Sequence, residues 1–290
     1  MTAGLLVPAR VRGLAEREPE GRAWLAGLPA LVADLSRRWG LSLGPAFDHG
    51  GYTAVVLPAE REDGTPAVLK LSFPHMEGLD EAAGLRFWDG DPTVRLLEAD
   101  DERHALLLER CLPGHDLRAL PEPERDAVLA GLLRRLWRPA SPRAGFRHLE
   151  RMIAYWSEGT EADEARWPDP DLVREGLAAW RELARPGRDD VLLATDAHAG
   201  NALAAQREPW LLIDPKPFVG DRAYDATQHL FDQRERLEAD PSGFVRSWAA
   251  LLDLDEARVR SWTFARYAAE RRDDDEDWRR ANDLARRLAP

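Results

Sequence analysis

Four residues carry chemistry in an order that matters. Lys70 ends the apolar run Ala67-Val68-Leu69-Lys70. Asp196 and Asn201 open and close Asp196-Ala197-His198-Ala199-Gly200-Asn201, and Asp214 follows Ile213 in Ile213-Asp214-Pro215-Lys216. A lysine at a strand end neutralises phosphate, and an aspartate can accept a hydroxyl's proton. An asparagine amide and a second carboxylate offer oxygens to a divalent cation. In this order they are the parts of phosphoryl transfer from a metal-bound nucleotide. Each fragment alone is ordinary, because strand-end lysines are solvated and Asp and Asn beside Gly make turns. Composition singles them out. Only two of the forty basic residues are lysine, Lys70 and Lys216, and asparagine and isoleucine also occur just twice each. That is the mark of a GC-rich genome, in which a lysine that survives stands where the planar guanidinium would fail.

The elements that must position these groups are legible around them. Thr53–Leu57 and Ala67–Leu71 are expected strands, with Asp63-Gly64 as the hairpin signal between them. A helix is expected from Glu77 to Trp88. It offers Glu81 as the carboxylate that anchors Lys70, because Leu85 and Trp88 follow at i+4 and i+7 on the core side. Glu77 is the alternative, at a helix start frayed by Gly78. Strands at Thr93–Leu97 and His104–Leu108 form a second hairpin. Pro29, with Leu31, Val32, Leu35 and Trp39 before Gly40, reads as a helix beginning near that proline. After Pro113-Gly114 apolar residues recur at helical spacing, interrupted by short strands at Val191–Leu193 and Trp210–Ile213 that bracket the Asp196 loop. Two domains follow, residues 1–112 and 113–290.

The stretches Leu192 to Asn201 and Ile213 to Asp225 resemble the aminoglycoside phosphotransferase family. Its streptomycin 6-phosphotransferase and hydroxyurea-resistance kinase branch is the most similar, with likeness extending from Trp24 to Trp262. That family more often carries His-Gly before its catalytic aspartate, where Ala194-Thr195 stand here. The resemblance implies an α+β, protein-kinase-like two-lobed fold, with an antiparallel-sheet N-lobe and a mostly helical C-lobe. It implies ATP and Mg²⁺ as cofactors and an alcohol group of a small molecule as acceptor. The foremost acceptor is a streptomycin-type aminoglycoside; hydroxyurea or an antibiotic-pathway intermediate is the alternative. Asp196 becomes the catalytic carboxylate, Asn201 and Asp214 the metal ligands, and Lys70, anchored by Glu81, the nucleotide-phosphate ligand. The backbone at Glu109 and Cys111, in the expected linker, meets adenine. His49-Gly50-Gly51-Tyr52-Thr53 stands where the phosphate-covering loop belongs.

Bulk properties narrow the field. The net charge of −12 argues against a nucleic-acid partner and favours a cationic small molecule through steering. The single cysteine, Cys111, permits no intrachain disulfide, which fits a reducing compartment. No apolar run reaches the length of a membrane span, and a cytoplasmic monomer is the expectation. Two rivals stand beside the kinase reading. One is a nucleotide-binding module without turnover. The other is a metal hydrolase built on Asp196 and His198, which lacks convergent ligands. Lys216 suits either a phosphate or the metal loop, and Asp225 either a helix start or a brace for a loop.

Overall fold

The computed structural model describes residues 7–17, 19–48, 51 and 53–289. His49, Gly50 and Tyr52 of the expected phosphate-covering loop lie outside the described residues. The chain divides into two compact units. The first runs to Gly114 and takes in Ala204–Leu211; the second comprises His115–Leu203 and Leu212 onward.

In the first unit, helices α1 (Ala9–Ala15) and α2 (Pro19–Trp39) precede strands β1 (Leu41–Leu43), β2 (Ala54–Arg61) and β3 (Pro66–Ser72). Helix α3 (Glu81–Trp88) and strands β4 (Leu96–Asp100) and β5 (Ala105–Glu109) complete it. The five strands form one sheet in the order β1-β2-β3-β5-β4, and every pair with a recorded register is antiparallel. Alternation sorts the two faces. Val55, Leu57, Ala59, Leu69, Leu71 and Leu107 lie on one face and form a core with Leu28 and Leu35 of α2. Lys70, opposite Val56 and Leu106 in the register, therefore points to the other face.

Three local expectations need correction. Helix α2 begins ten residues before Pro29, which sits in its interior. Burial of Leu28 and Leu35 against the sheet outweighs the one ladder bond a proline removes. The segment from Glu77 splits into a 3₁₀ turn, Glu77–Asp80, and α3. The strand expected at Thr93 starts at Leu96, after the cis Asp91-Pro92 bond.

The second unit contains α4 (Glu122–Leu136), α5 (Leu149–Ala162) and α6 (Pro170–Leu183), then the short strands β6 (Val191–Leu193) and β9 (Phe218–Gly220); between these two strands β7 (Ala202–Ala204) and β8 (Trp210–Leu212) run into and out of the Ala204–Leu211 segment of the first unit. Five helices follow: α7 (Arg222–Asp232), α8 (Arg234–Ala239), α9 (Pro241–Leu252), α10 (Glu256–Ala269) and α11 (Asp275–Leu288). Strand β6 pairs with β9, and β7 with β8. The centre is α10, which packs on α6, α7, α9 and α11. It buries Val259 and every residue from Trp262 to Ala269, the pattern of a helix surrounded by protein. Gly176 of α6 makes the closest approach possible, because a Cβ there would lie 2.5 Å from the Ala268 Cβ. Among the described residues no helix is long and apolar enough to cross a membrane.

Candidate active site

Lys70 and Glu81 meet in the first unit. Strand alternation turns Lys70 off the α2 face, and Glu81 opens α3. Lys70 Nζ donates to Glu81 Oε1 at 2.6 Å, with the two residues 6% and 4% exposed. Removing one member of so buried a pair leaves an uncompensated charge and typically costs about 3–5 kcal/mol.

Glu109 ends β5. Its N–H donates to Arg95 O at 2.9 Å, so its backbone donor is already committed. Its carboxylate accepts from Arg207 Nε and Nη2, each at 2.9 Å, a bidentate pair that sequence reading did not find because the partners are far apart in the chain. Burial pushes the Glu109 carboxyl up, but the Arg207 bonds and the Arg95 N–H outweigh it and hold it below its usual value. Cys111 is buried, and that burial pushes its thiol up to about 12.

The remaining groups gather in the second unit. Strand β6 delivers the chain to Ala194-Thr195-Asp196, and the loop is clamped on both sides. Asp225, inside α7, accepts from Ala194 N at 3.1 Å, Thr195 N at 2.7 Å and Trp137 Nε1 at 2.9 Å. It is the loop brace; Asp221 caps the helix by accepting from Ala223 N. Burial pushes the Asp225 carboxyl up to about 6 against the pull of those three donors. Thr195 has φ +49°, a left-handed conformation that glycine adopts freely and a β-branched residue does not. Its hydroxyl donates to Lys216 O at 2.7 Å, and Lys216 N donates to Ala194 O at 2.7 Å, which ties the Asp196 loop to the Asp214 loop.

Asn201 Nδ2 donates to the Asp196 carbonyl at 2.9 Å. A carbonyl only accepts, so the amide nitrogen must face it, and Asn201 Oδ1 is the end left for a cation. Asp214, at φ +52°, holds its Oδ1 at 2.5 Å from Lys216 Nζ. The same ammonium lies 3.8 Å from Asp196 Oδ2, between two carboxylates. The Asp214 carboxylate and the Asn201 amide oxygen are both oxygen donors. That suits Mg²⁺, which takes few protein ligands and fills its shell with water and phosphate. Among the described residues no group of three or more His, Cys, Asp or Glu could hold a metal by itself.

His198 caps the turn Ala199–Asn201, its Nδ1 accepting from Gly200 N at 3.1 Å. Its ring also approaches Asp232, which accepts from Arg118 Nη2 at 2.5 Å. Burial pushes the Asp232 carboxyl up, but the Arg118 hydrogen bond and the nearby His198 outweigh it, so it lies below its usual value. Gln228 also reaches Asp196, with Nε2 donating to Oδ1 at 2.9 Å. Sequence reading missed Gln228, Asp232 and Arg118. The first two share a face of α7 with Asp225, at i, i+3 and i+7, which was the signal available.

A two-lobed, antiparallel-sheet-plus-helices architecture with this set of side chains defines a protein-kinase-like phosphotransferase. A choline kinase from Streptococcus pneumoniae matches in fold, with a TM-score of 0.65 over 89% of this chain and 98% of that one, at 13% identity. The family model described as aminoglycoside/hydroxyurea antibiotic resistance kinase matches residues 39–275, and the chain belongs to that family. It is 42% identical over 261 residues to a streptomycin 6-kinase of Streptomyces griseus, covering 85% of this chain and 83% of that protein. It is also 42% identical over 255 residues to a hydroxyurea phosphotransferase of Kitasatospora aureofaciens, covering 85% and 73%. The protein is a small-molecule kinase with an alcohol group as acceptor.

Proposed function

We propose that the protein transfers the γ-phosphoryl group of ATP, with Mg²⁺, to a hydroxyl of a streptomycin-type aminoglycoside. The observation that carries this reading is the placement of Asp196, Asn201 and Asp214 on one pair of linked loops, with Gln228 and Lys216 on the Asp196 carboxylate.

In the first unit Lys70, fixed by Glu81, binds the α- and β-phosphate oxygens. The Glu109 carbonyl and the Cys111 backbone meet adenine, because the Glu109 N–H is spent on Arg95. In the second unit Asn201 Oδ1 and the Asp214 carboxylate hold Mg²⁺, which when bound neutralises the phosphate charge that develops in transfer. Asp196 orients the acceptor hydroxyl and takes its proton. The hydroxyl oxygen forms the new bond to γ-phosphorus as the bond to the β-bridging oxygen breaks, and that electron pair leaves with ADP. Intact Lys70, Asp196, Asn201 and Asp214 count against a binding module without turnover. The acidic chain favours a cationic acceptor over neutral hydroxyurea.

The test is mass spectrometry of streptomycin and of hydroxyurea after incubation with ATP and Mg²⁺. Phosphorylated streptomycin is expected, with Asp196→Asn lowering turnover on the order of 10²–10⁴-fold while ATP still binds. Phosphorylation of hydroxyurea alone replaces the acceptor, and near-normal turnover by Asp196→Asn removes the mechanism.

A further inference from the structure

A glutamine beside a carboxylate can present either end of its amide, and only the NH₂ end is attractive. Arg266 removes that choice for Gln228. Arg266 Nη1 donates to Gln228 Oε1 at 2.8 Å. A guanidinium has no acceptor, so the amide oxygen is committed to Arg266 and the NH₂ must face Asp196. Arg266 is in turn fixed. Nη1 also donates to Thr227 Oγ1 at 2.6 Å, and Nε donates to Glu270 Oε2 at 2.8 Å. Its guanidinium lies over the rings of Phe231 and Tyr224, at 4.2 and 4.9 Å, and the residue is 5% exposed. A side chain this enclosed has no second rotamer to adopt.

We infer that Gln228 is a positioning residue for Asp196, and that Glu270 and Arg266 set the direction of its amide. The inference rests on the reading of Asp196 as the group that takes the acceptor's proton. Asp196 Oδ1 accepts from Gln228 at 2.9 Å, while Oδ2 has longer contacts, 3.4 Å to Asn201 Nδ2 and 3.8 Å to Lys216 Nζ. Tying Oδ1 fixes the plane of the carboxylate and leaves Oδ2, the more loosely held oxygen, to receive the proton. A carboxylate free to rotate would spend most of its time misaligned with the acceptor hydroxyl.

Two variants separate positioning from packing. Gln228→Glu keeps the length of the side chain and an oxygen for Arg266 but has no N–H to give Asp196. Gln228→Met keeps the size and has neither. With streptomycin as the acceptor, kcat is expected to fall about 10–100-fold in both, with KM for ATP unchanged and the urea midpoint of Gln228→Met near the wild-type value. Adding Gln228→Met to Asp196→Ala is expected to cost no further turnover, because the amide acts through that carboxylate. Asp196→Ala at the wild-type rate would overturn the reading of Asp196 and this inference together. A dead Asp196→Ala beside unimpaired Gln228 variants overturns this inference alone. If streptomycin is not turned over, the Gln228 side-chain amide signal in a nitrogen–proton NMR spectrum decides: it is expected to shift in Asp196→Ala, and an unmoved signal sinks the proposal.

Discussion

Asp225 takes the backbone N–H of Thr195 at 2.7 Å from within a helix, and so holds the loop that carries Asp196 from behind. Two further donors, Ala194 N and Trp137 Nε1, converge on the same buried carboxylate. Asp225→Asn offers only one accepting atom to three donors. Leaving a buried donor unmet costs about 1–3 kcal/mol, and kcat should fall with it.

The pH dependence of that variant has a definite sign. The Asp225 carboxyl stands at 3.8 unfolded and about 6 folded, so the folded state binds the proton more tightly. Its contribution to stability is fully present below the unfolded value and is lost as pH rises through about 6. Wild type minus Asp225→Asn, measured by urea unfolding, should therefore fall on the order of 3 kcal/mol from about pH 4 to about pH 7 and then level off. A flat difference across that window would show that burial does not control this group.

Thr195 predicts an unusual order of substitutions. Thr195→Val keeps the left-handed strain and loses the hydroxyl bond to Lys216 O, so it should destabilise by about 1–3 kcal/mol. Thr195→Gly loses the same bond but sheds the strain, a compensation on the order of 1–2 kcal/mol. Glycine should be the milder change by thermal unfolding. A valine variant as stable as glycine would remove the strain argument.

Lys216 lies between Asp214 and Asp196, 6% exposed. Lys216→Met leaves two carboxylates facing each other without a cation. Turnover should drop about 10–100-fold, and Lys216→Arg should not restore it, because a planar guanidinium does not fill a compact ammonium's place. Steady-state kinetics at saturating ATP would check this; an arginine variant at the wild-type rate would show that any cation serves.

Arg207 clamps the Glu109 carboxylate at the end of β5. Arg207→Ala should raise KM for ATP several-fold and leave kcat near wild type, because it disturbs a residue proposed to meet adenine and touches nothing in the second unit's site. A fall in kcat at unchanged KM would reassign the clamp.

What could be read in the chain followed from periodicity and residue rarity. Rarity marked Lys70 at the end of its apolar run, one helical turn set Glu81 beside Leu85, and the loop motif marked Asp196, Asn201 and Asp214. Other features gave no local signal. Strand β9 is three residues long and gains its identity only by pairing with β6. Thr195 adopts a conformation its side chain disfavours, so propensity points away from it. Gln228 and Asp232 look like the solvated face of a helix until α7 is set against the loop. Pro29 reads as a helix start because propensity places proline there, and only the packing of α2 on the sheet extends the helix past it.

The lone cysteine has a practical consequence. With its thiol pushed up to about 12, Cys111 is thiolate in only about one molecule in 10⁵ at neutral pH, and it is also shielded from reagents. An alkylating probe will therefore label the chain only when the segment next to Glu109 opens. Labelling rates with and without nucleotide would time that breathing motion at one address, in the unaltered protein, with no engineered tag and no competing thiol.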